Sequence, residues 1–587
     1  MPNESPHHTP LAYEYDFRAS AVLWLFLVPA LGGFLFGYDI GGTSFVVVQL
    51  ASMRASSMSL KDSPIKTGWI VSSPSAGALL GTAFLMYLES LRDVRDRDAT
   101  NRRRSKRRWP APIGRRTELR YSGILYAVGG ILQYLSAFSP ETTKSLFSPF
   151  FLLSLGRWIY GAGIGFAMHG GPTYLAETMP PSVRGMVVGG KELAIVVGIL
   201  VGFVAGNALT RVDGDEDAGW ARVYASTLLA SIGVIGLSFT IPESARYLVG
   251  RQQEELCANS SHESSATDPL RGETEQERTT RIVSTQVLES LKFVWNPSAA
   301  LSEHRKLMAI FHRQLQQQQQ RHDEEESPSL SLWDPYVRPA LRAGLGLVIL
   351  QQVTGQPSVL SYATPILARV PGLSGNASVI LAIFKLLATS VSVVLVETRG
   401  RKTLLTVGCS LMFAALLVLT FAFSEQAATG SFDDDPVPSE LDARSILTLL
   451  GMFAYIAGYQ VGFGPIAWLM ISEVFPQSVR GKAVALAVLA NFALNAIVQF
   501  LVPILRSTLG MSRTFFVFGA LAAYSVYFVQ TSVPETKGLT LEEIEEGLAA
   551  LASKSVTGAK TDEEERTDEN TAHEERVQLL STSSTPV

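Results

Sequence analysis

The stretch FLFGYDIGGTSF, Phe34–Phe45, sets one carboxylate, Asp39, in an otherwise apolar run. Arg157 stands in similar surroundings in LLSLGRWIYGAG, His169 in FAMHGGP, Glu192 in GGKELAIVVG and Lys385 in LAIFKLLATS. A charge at bilayer depth costs at least ~2.5–3.5 kcal/mol, so each must face a cavity or a partner. Asp39 can take up and release a proton as the protein changes shape, or it can hold a permanent ion pair. Arg157 is its natural partner. A partner that approaches or retreats alters the proton affinity of a carboxylate. His169 titrates near neutrality, and either senses pH or serves as a hydrogen-bonded structural group.

The elements that must position these groups follow from composition. The 587 residues are 47% hydrophobic and 17% charged, with a mean hydropathy of +0.20. That balance is wrong for a soluble enzyme and right for an all-α polytopic membrane protein. No catalytic constellation or cofactor fingerprint is visible, and the two cysteines, Cys257 and Cys409, show no metal-ligand spacing. About twelve runs meet the length a membrane span needs. They lie near 20–46, 66–88, 119–138, 147–174, 186–209 and 222–241, then 339–367, 378–397, 402–424, 444–471, 483–505 and 513–533. The first run is too long for a cleavable signal and reads as a span. The chain thus divides into a tail (1–19), a six-helix half (20–242), a polar linker (243–337), a second six-helix half (338–534) and an acidic tail (535–587). The linker holds the run Gln316–Gln320 and reads as largely flexible, with a short surface helix at Val287–Val294.

Basic residues set the orientation. The loop Leu91–Thr117 is dense in arginine, whereas Glu425–Asp442 has no Lys or Arg. Both termini and the linker are therefore expected on the cytosolic side. The arginine cluster can also bind anionic lipid; nucleic-acid binding is not expected. Of three N-x-S sequons, only Asn376 falls on the opposite side.

Short strings recur in order. ETMPPSVRG (Glu177–Gly185) returns as EVFPQSVRG (Glu473–Gly481), IGRR (Ile113–Arg116) as RGRK (Arg399–Lys402), and PESARYL (Pro242–Leu248) as PETKGLT (Pro534–Thr540). Such repeats argue for two homologous halves, as in parallel-repeat transporters. They place Arg115, Arg116, Glu177, Arg184, Glu243, Arg246, Glu397, Arg401, Glu473 and Arg480 at helix ends on one face. Ion pairs among them either gate that face or anchor helix ends.

The motifs LGGFLFGYDIGG, GRWIYGAGIG, YLAETMPPSVRG, PESARYL, QQVTGQ, GPIAWLMISEVFPQSVRG and VPETKGLTLEEIE resemble the sugar porter family of the major facilitator superfamily over roughly 18–250 and 338–548. QQVTGQPSVL, GPIAWLMISE and LAVLANFALNAIV are similar to its plant branch of xylose–proton-symporter-like and vacuolar or plastid glucose transporters. The resemblance implies a major facilitator fold, alternating access, and monosaccharide and protons as partners, with no cofactor and a monomeric working unit. It makes Asp39 the proton carrier beside Arg157. It assigns sugar contacts to Gln351, Gln352, Trp468 and Asn491, with Gln356 standing in for a missing contact at Pro357 and Tyr362 closing over the ligand. Glu192 replaces a glutamine and Lys385 an asparagine of the family pattern. These two either pair across the central cavity or bind hydroxyls, and Glu192 is also open as a second proton site. An uncoupled uniporter and a non-transporting sugar sensor remain the alternatives. EERVQLL in the tail resembles an acidic dileucine sorting signal, which leaves plasma membrane and vacuolar or endosomal membrane open.

Overall fold

The computed structural model describes residues 16–53, 58–60, 63–99, 113–138, 148–210, 219–250, 275–320, 332–367, 376–424, 442–476, 479–539 and 543–548. Among them the chain is helical and holds no strand beyond one antiparallel bridge, Phe17 to Trp295. Helices dominate because a backbone in lipid must satisfy its own hydrogen bonds.

The first group comprises α1 (Ala19–Ser52), α2 (Pro64–Ala99), α3 (Arg115–Leu135), α4 (Pro149–Thr178), α5 (Pro181–Leu209), α6 (Gly219–Ala225) and α7 (Thr227–Thr240). Then come α8 (Glu275–Val294) and α9 (Pro297–Gln320). The rest are α10 (Arg338–Val353), α11 (Gln356–Ser361), α12 (Ala363–Leu367), α13 (Asn376–Arg399), α14 (Arg401–Ala422), α15 (Ala443–Val461), α16 (Phe463–Val474), α17 (Arg480–Leu509) and α18 (Met511–Ser532). Ten described segments are long and apolar enough to cross a membrane, with α6 and α7 forming one and α15 and α16 another. The 21 residues of α3 reach about 31 Å, long enough to span. Its hydropathy is lowered by Arg115, Arg116, Glu118 and Arg120 in its first two turns. The remaining crossing, 338–367, is the broken series α10–α12.

Within the first group α1 packs on α5, α3 on α4, and α2 on α4; in the later one α14 packs on α15 and α18. The two groups meet through α2 with α17, α5 with α13, and α1 with α11 and α12. Close approach of α2 and α4 depends on glycine. A Cβ at Gly77 would fall on the Trp158 carbonyl, and one at Gly161 on the Pro74 carbonyl. The glycine strings in these spans thus serve packing.

Three features differ from the sequence reading. Residues 275–320 fold as the pair α8 and α9, and α9 takes in the glutamine run. Val287 and Leu291 bury against Ala245 and Val249, so an apolar stripe at helical spacing fixes α8. The stretch after α18 is not all tail: Ile544 and Leu548 are buried in the main apolar cluster. The crossing near 339–367 breaks at Gly355, which adopts φ +93°, so Tyr362 lies outside the helix that carries Gln351 and Gln352. Cys257 and the loop arginines at 102–108 lie outside the described residues.

For orientation, the end of the bundle where α1 begins and α18 ends is called the tail face, and the opposite end the far face.

Candidate functional site

Asp39 sits mid-way along α1 and Arg157 in the first half of α4. Arg157 is fully buried and Asp39 is 7% exposed. Arg157 Nη1 donates to Asp39 Oδ1 at 3.1 Å and Nη2 to Oδ2 at 3.4 Å, a two-pronged charge-assisted pair. The guanidinium is satisfied elsewhere too. Its Nε donates to the Ile70 carbonyl of α2 at 2.6 Å, and Nη1 to Thr43 Oγ1 at 3.1 Å and the Tyr224 hydroxyl at 2.6 Å. Thr43, one turn after Asp39, donates back to Asp39 Oδ1 at 3.4 Å. One ion pair therefore ties α1, α2, α4 and α6 together. A small cavity borders it, lined by Asp39, Thr43, Pro74, Ser75 and Arg157 and by Gln499 of α17.

Beside this cavity lies a group of amides. Gln351 and Gln352 end α10 and are 2% and 4% exposed. Gln352 Nε2 donates to Gln351 Oε1 at 3.3 Å, and Gln351 Nε2 to the Phe463 carbonyl at 3.0 Å. Asn495 of α17 donates to Gln352 Oε1 at 3.0 Å and accepts from Ser75 Oγ of α2 at 2.7 Å. Trp468 on α16 keeps 36% of its surface accessible. Gln356 opens α11 and is half-buried. Tyr362 is buried, and its hydroxyl meets no hydrogen-bond partner among the described residues.

Lys385 is 3% exposed and donates to Gln460 Oε1 at 2.7 Å, and Gln460 Nε2 passes the link on to Thr389. Its ammonium also lies 5.3 Å from the Tyr459 ring centroid. The ion pair considered between Lys385 and Glu192 is not formed. Among the described residues Lys385 takes the Gln460 amide instead, and the half-buried Glu192 acts on it only across space. The reason is reach: Gln460 projects from α15, which packs on α13.

At the tail face, Arg115 binds Glu89 at 3.0 Å, Glu118 at 3.1 Å and Glu177 at 3.5 Å, and Arg401 binds Glu473 at 3.1 Å. His169 meets Glu118 through Nδ1 at 3.1 Å and faces Glu89 through Nε2 at 3.7 Å, so it belongs to this network. Among the described residues Arg184 and Arg480 do not reach carboxylates; they donate to the Met179 and Phe475 carbonyls at 3.4 and 3.0 Å. Each thereby closes the turn before its own helix. Arg246 is exposed, and the side chain of Glu397 lies outside the described residues.

The repeated PE and GR motifs share one device. Glu243 accepts from the Arg116 backbone N–H at 2.9 Å, at the start of α3. Glu535 accepts from the backbone N–H groups of Arg401 and Lys402 at 3.0 and 3.1 Å, at the start of α14. A carboxylate at a helix N-terminus meets orphan donors and the positive end of the dipole. Glycine at 114 and 400 leaves room for it; a Cβ at Gly400 would lie 2.8 Å from Glu535 Oε2. The copies differ in charge preference. Burial pushes the Glu243 carboxyl up, against two backbone donors. Glu535 also feels burial, yet backbone N–H groups of Lys537, Arg401, Lys402 and Thr536 hold it below the usual range.

Hydrogen bonds between the two groups of helices run from mid-depth to the far face: Ser75 to Asn495, the Thr364 N–H to Ser44 at 3.1 Å, and Asn207 to Asn376 at 3.2 Å. The tail-face ion pairs above all stay within one group. Open space surrounds Gly185, Gly189 and Gly481 at the tail ends of α5 and α17.

The family described as sugar (and other) transporter matches residues 25–92 and 108–548. This chain belongs to that family. It is 35% identical over 540 residues to D-xylose-proton symporter-like 3, chloroplastic, of Arabidopsis thaliana, covering 90% of this chain and 83% of the relative. It is 28% identical to the major myo-inositol transporter IolT of Bacillus subtilis, over 92% of this chain and 96% of that one. Among solved structures, the partially occluded inward open conformation of the xylose transporter XylE from E. coli aligns with a TM-score of 0.63 at 22% identity, covering 89% of this chain and all of that chain. The fold is that of the major facilitator superfamily, and the chain is a multi-pass membrane protein.

For this transporter, sequence reasoning missed several groups. Asn491 was expected at the site, but it is Asn495, one turn later, that joins the amides. Asn491, Asn495 and Gln499 form an i, i+4, i+8 stripe legible in LANFALNAIVQF. Ser75, Gln460 and Tyr224 gave no signal, since each is unremarkable until the fold brings it against a partner.

Proposed function

We propose that this chain moves a monosaccharide, a hexose or pentose such as glucose or xylose, together with protons by alternating access. The observation that carries the reading is the buried Asp39–Arg157 pair. It opens onto a cavity that α17 also lines, two hydrogen bonds from Gln352 through Ser75 and Asn495. Gln351, Gln352 and Asn495 would serve sugar hydroxyls and Trp468 the apolar ring face. Gln356, Tyr362, Glu192 and Lys385 would complete the wall. Residues 20–242 and 338–534 would rock as two halves, with both termini cytosolic. The far-face hydrogen bonds and the open tail ends of α5 and α17 suit a state open to the cytosol. Arg115, Glu177, Arg401 and Glu473 would rearrange when that face closes. The names of the relatives support both sugar and proton.

The five hydrogen bonds that hold Arg157 favour one rival, a uniporter in which the pair never opens. Purified protein in liposomes under an inward proton gradient separates the two. Accumulation of labelled glucose or xylose in wild type, abolished by Asp39→Asn while exchange persists, is the expected result. Uptake that only equilibrates in wild type would leave the uniporter.

A further inference from the structure

An unbroken line of hydrogen bonds joins the wall of the Asp39 cavity to the start of the helix that carries Trp468. Ser75 Oγ donates to Asn495 Oδ1, Asn495 Nδ2 to Gln352 Oε1, Gln352 Nε2 to Gln351 Oε1, and Gln351 Nε2 to the Phe463 carbonyl. Every donor points the same way, so each bond polarises the next. Ser75, Asn495, Gln352 and Gln351 are all buried. Breaking a link therefore leaves a polar group unmet unless a ligand meets it.

We propose that Asn495, with Ser75, is the positioning element that couples sugar at Gln351 and Gln352 to the protonation of Asp39. This rests on the transport reading above. The amides are committed to one another, so a sugar hydroxyl binds by replacing a link. Taking Gln352 Oε1 releases Asn495 from it, and Asn495 is what Ser75 holds across the boundary between α2 and α17. Ser75 follows Pro74, where α2 lacks a backbone donor and yields more readily. Five residues before Ser75, the Ile70 carbonyl anchors Arg157 Nε at 2.6 Å. A shift of α2 thus alters how firmly Arg157 is held against Asp39. Among the described residues, the other titratable groups that face the pair are Tyr224 of α6, Tyr126 of α3, Tyr160 of α4 and, toward Arg157, Tyr362. Tyr126 and Tyr160 donate to the Gly32 and Leu35 carbonyls of α1, and Tyr224 takes the Arg157 bond. A phenol ordinarily titrates near pH ~10, which leaves Asp39 as the group placed to exchange a proton. Linkage makes the coupling reciprocal: protonation must change sugar affinity by the factor by which sugar changes proton affinity.

The test measures half-saturation for glucose and xylose counterflow in acidic and alkaline buffer, beside accumulation under a proton gradient. Variants are Ser75→Ala, Asn495→Ala and the hydroxyl-retaining Ser75→Thr, each checked for monodispersity after purification. Wild type is expected to shift by ~5-fold or more between the buffers. Ser75→Ala is expected to keep counterflow, shift less than about twofold and lose most accumulation, Asn495→Ala to lose the pH shift while also weakening sugar half-saturation at either pH, and Ser75→Thr to behave as wild type. A wild-type pH shift in Ser75→Ala overturns the coupling. So does an equal loss of counterflow and accumulation, which is the mark of a merely structural bond. Absence of counterflow in wild type removes the transport reading itself, and is told apart because no variant is needed to see it.

Discussion

Replacing Arg157 by methionine tests whether the buried pair is held as the geometry shows. Arg157 is fully buried and gives hydrogen bonds to Asp39, Thr43, Tyr224 and the Ile70 carbonyl. Arg157→Met deletes them all and strands the Asp39 carboxylate with only the 3.4 Å bond from Thr43. Breaking a buried pair by removing one partner costs about 3–5 kcal/mol. Asp39→Asn is milder, because Arg157 keeps its three other acceptors; the loss is that of a charged hydrogen bond, about 1.5–3 kcal/mol. In the double variant no buried charge is left unpaired. It should therefore be more stable than the sum of the single losses predicts, by up to ~3 kcal/mol. Unfolding free energies in detergent or bicelles give the cycle. Single losses that add to within ~0.5 kcal/mol would refute the coupling. So would an Arg157→Met variant as stable as wild type.

Lys385→Met should cost about 1–3 kcal/mol, because it strands the Gln460 carbonyl oxygen, whereas Glu192→Gln should cost less than ~1 kcal/mol in this state. Equal losses in the same unfolding assay would restore the direct Glu192–Lys385 pair. The Glu535 cap supplies stability above the ordinary carboxylate pKa of ~4.3, and loses it as pH falls through its lowered folded value. The stability gap between wild type and Glu535→Gln should accordingly close on acidification. Burial opposes the charge on Glu243, so Glu243→Gln should cost less than Glu535→Gln in the same assay; a pH-independent Glu535 gap would contradict the capping account. Trp468→Ala should weaken sugar half-saturation by ~2–10-fold at unchanged stability, as lost ring stacking requires, and unaltered half-saturation would take Trp468 out of the site.

Much of this molecule was legible in the residue order. Hydropathy marks the spans because lipid accepts only self-satisfied backbone. The duplicated PE and GR strings marked a shared device, and the fold shows what it is: a carboxylate seated over a helix N-terminus that glycine leaves open. Asp39 and Arg157 stood out because an intramembrane charge is costly wherever it lies. Pairings were harder. Lys385 and Glu192 look complementary in the sequence, yet Lys385 chooses Gln460 because α15 brings an amide within 2.7 Å. Asn495 rather than Asn491 meets Gln352 because the two share a face of α17 and the end of α10 lies level with Asn495, one turn further along. The amphipathic stripe of α8 was read as a short surface helix, but its length and its seat on Ala245 and Val249 came from packing. By itself, then, the sequence determined which groups are too costly to bury alone and how many helices carry them. Only the tertiary structure decided which group satisfies which. A hydrogen bond needs its partners within about 3 Å, and residues such as Ser75 and Asn495, 420 positions apart in the chain, come that close only through helix packing.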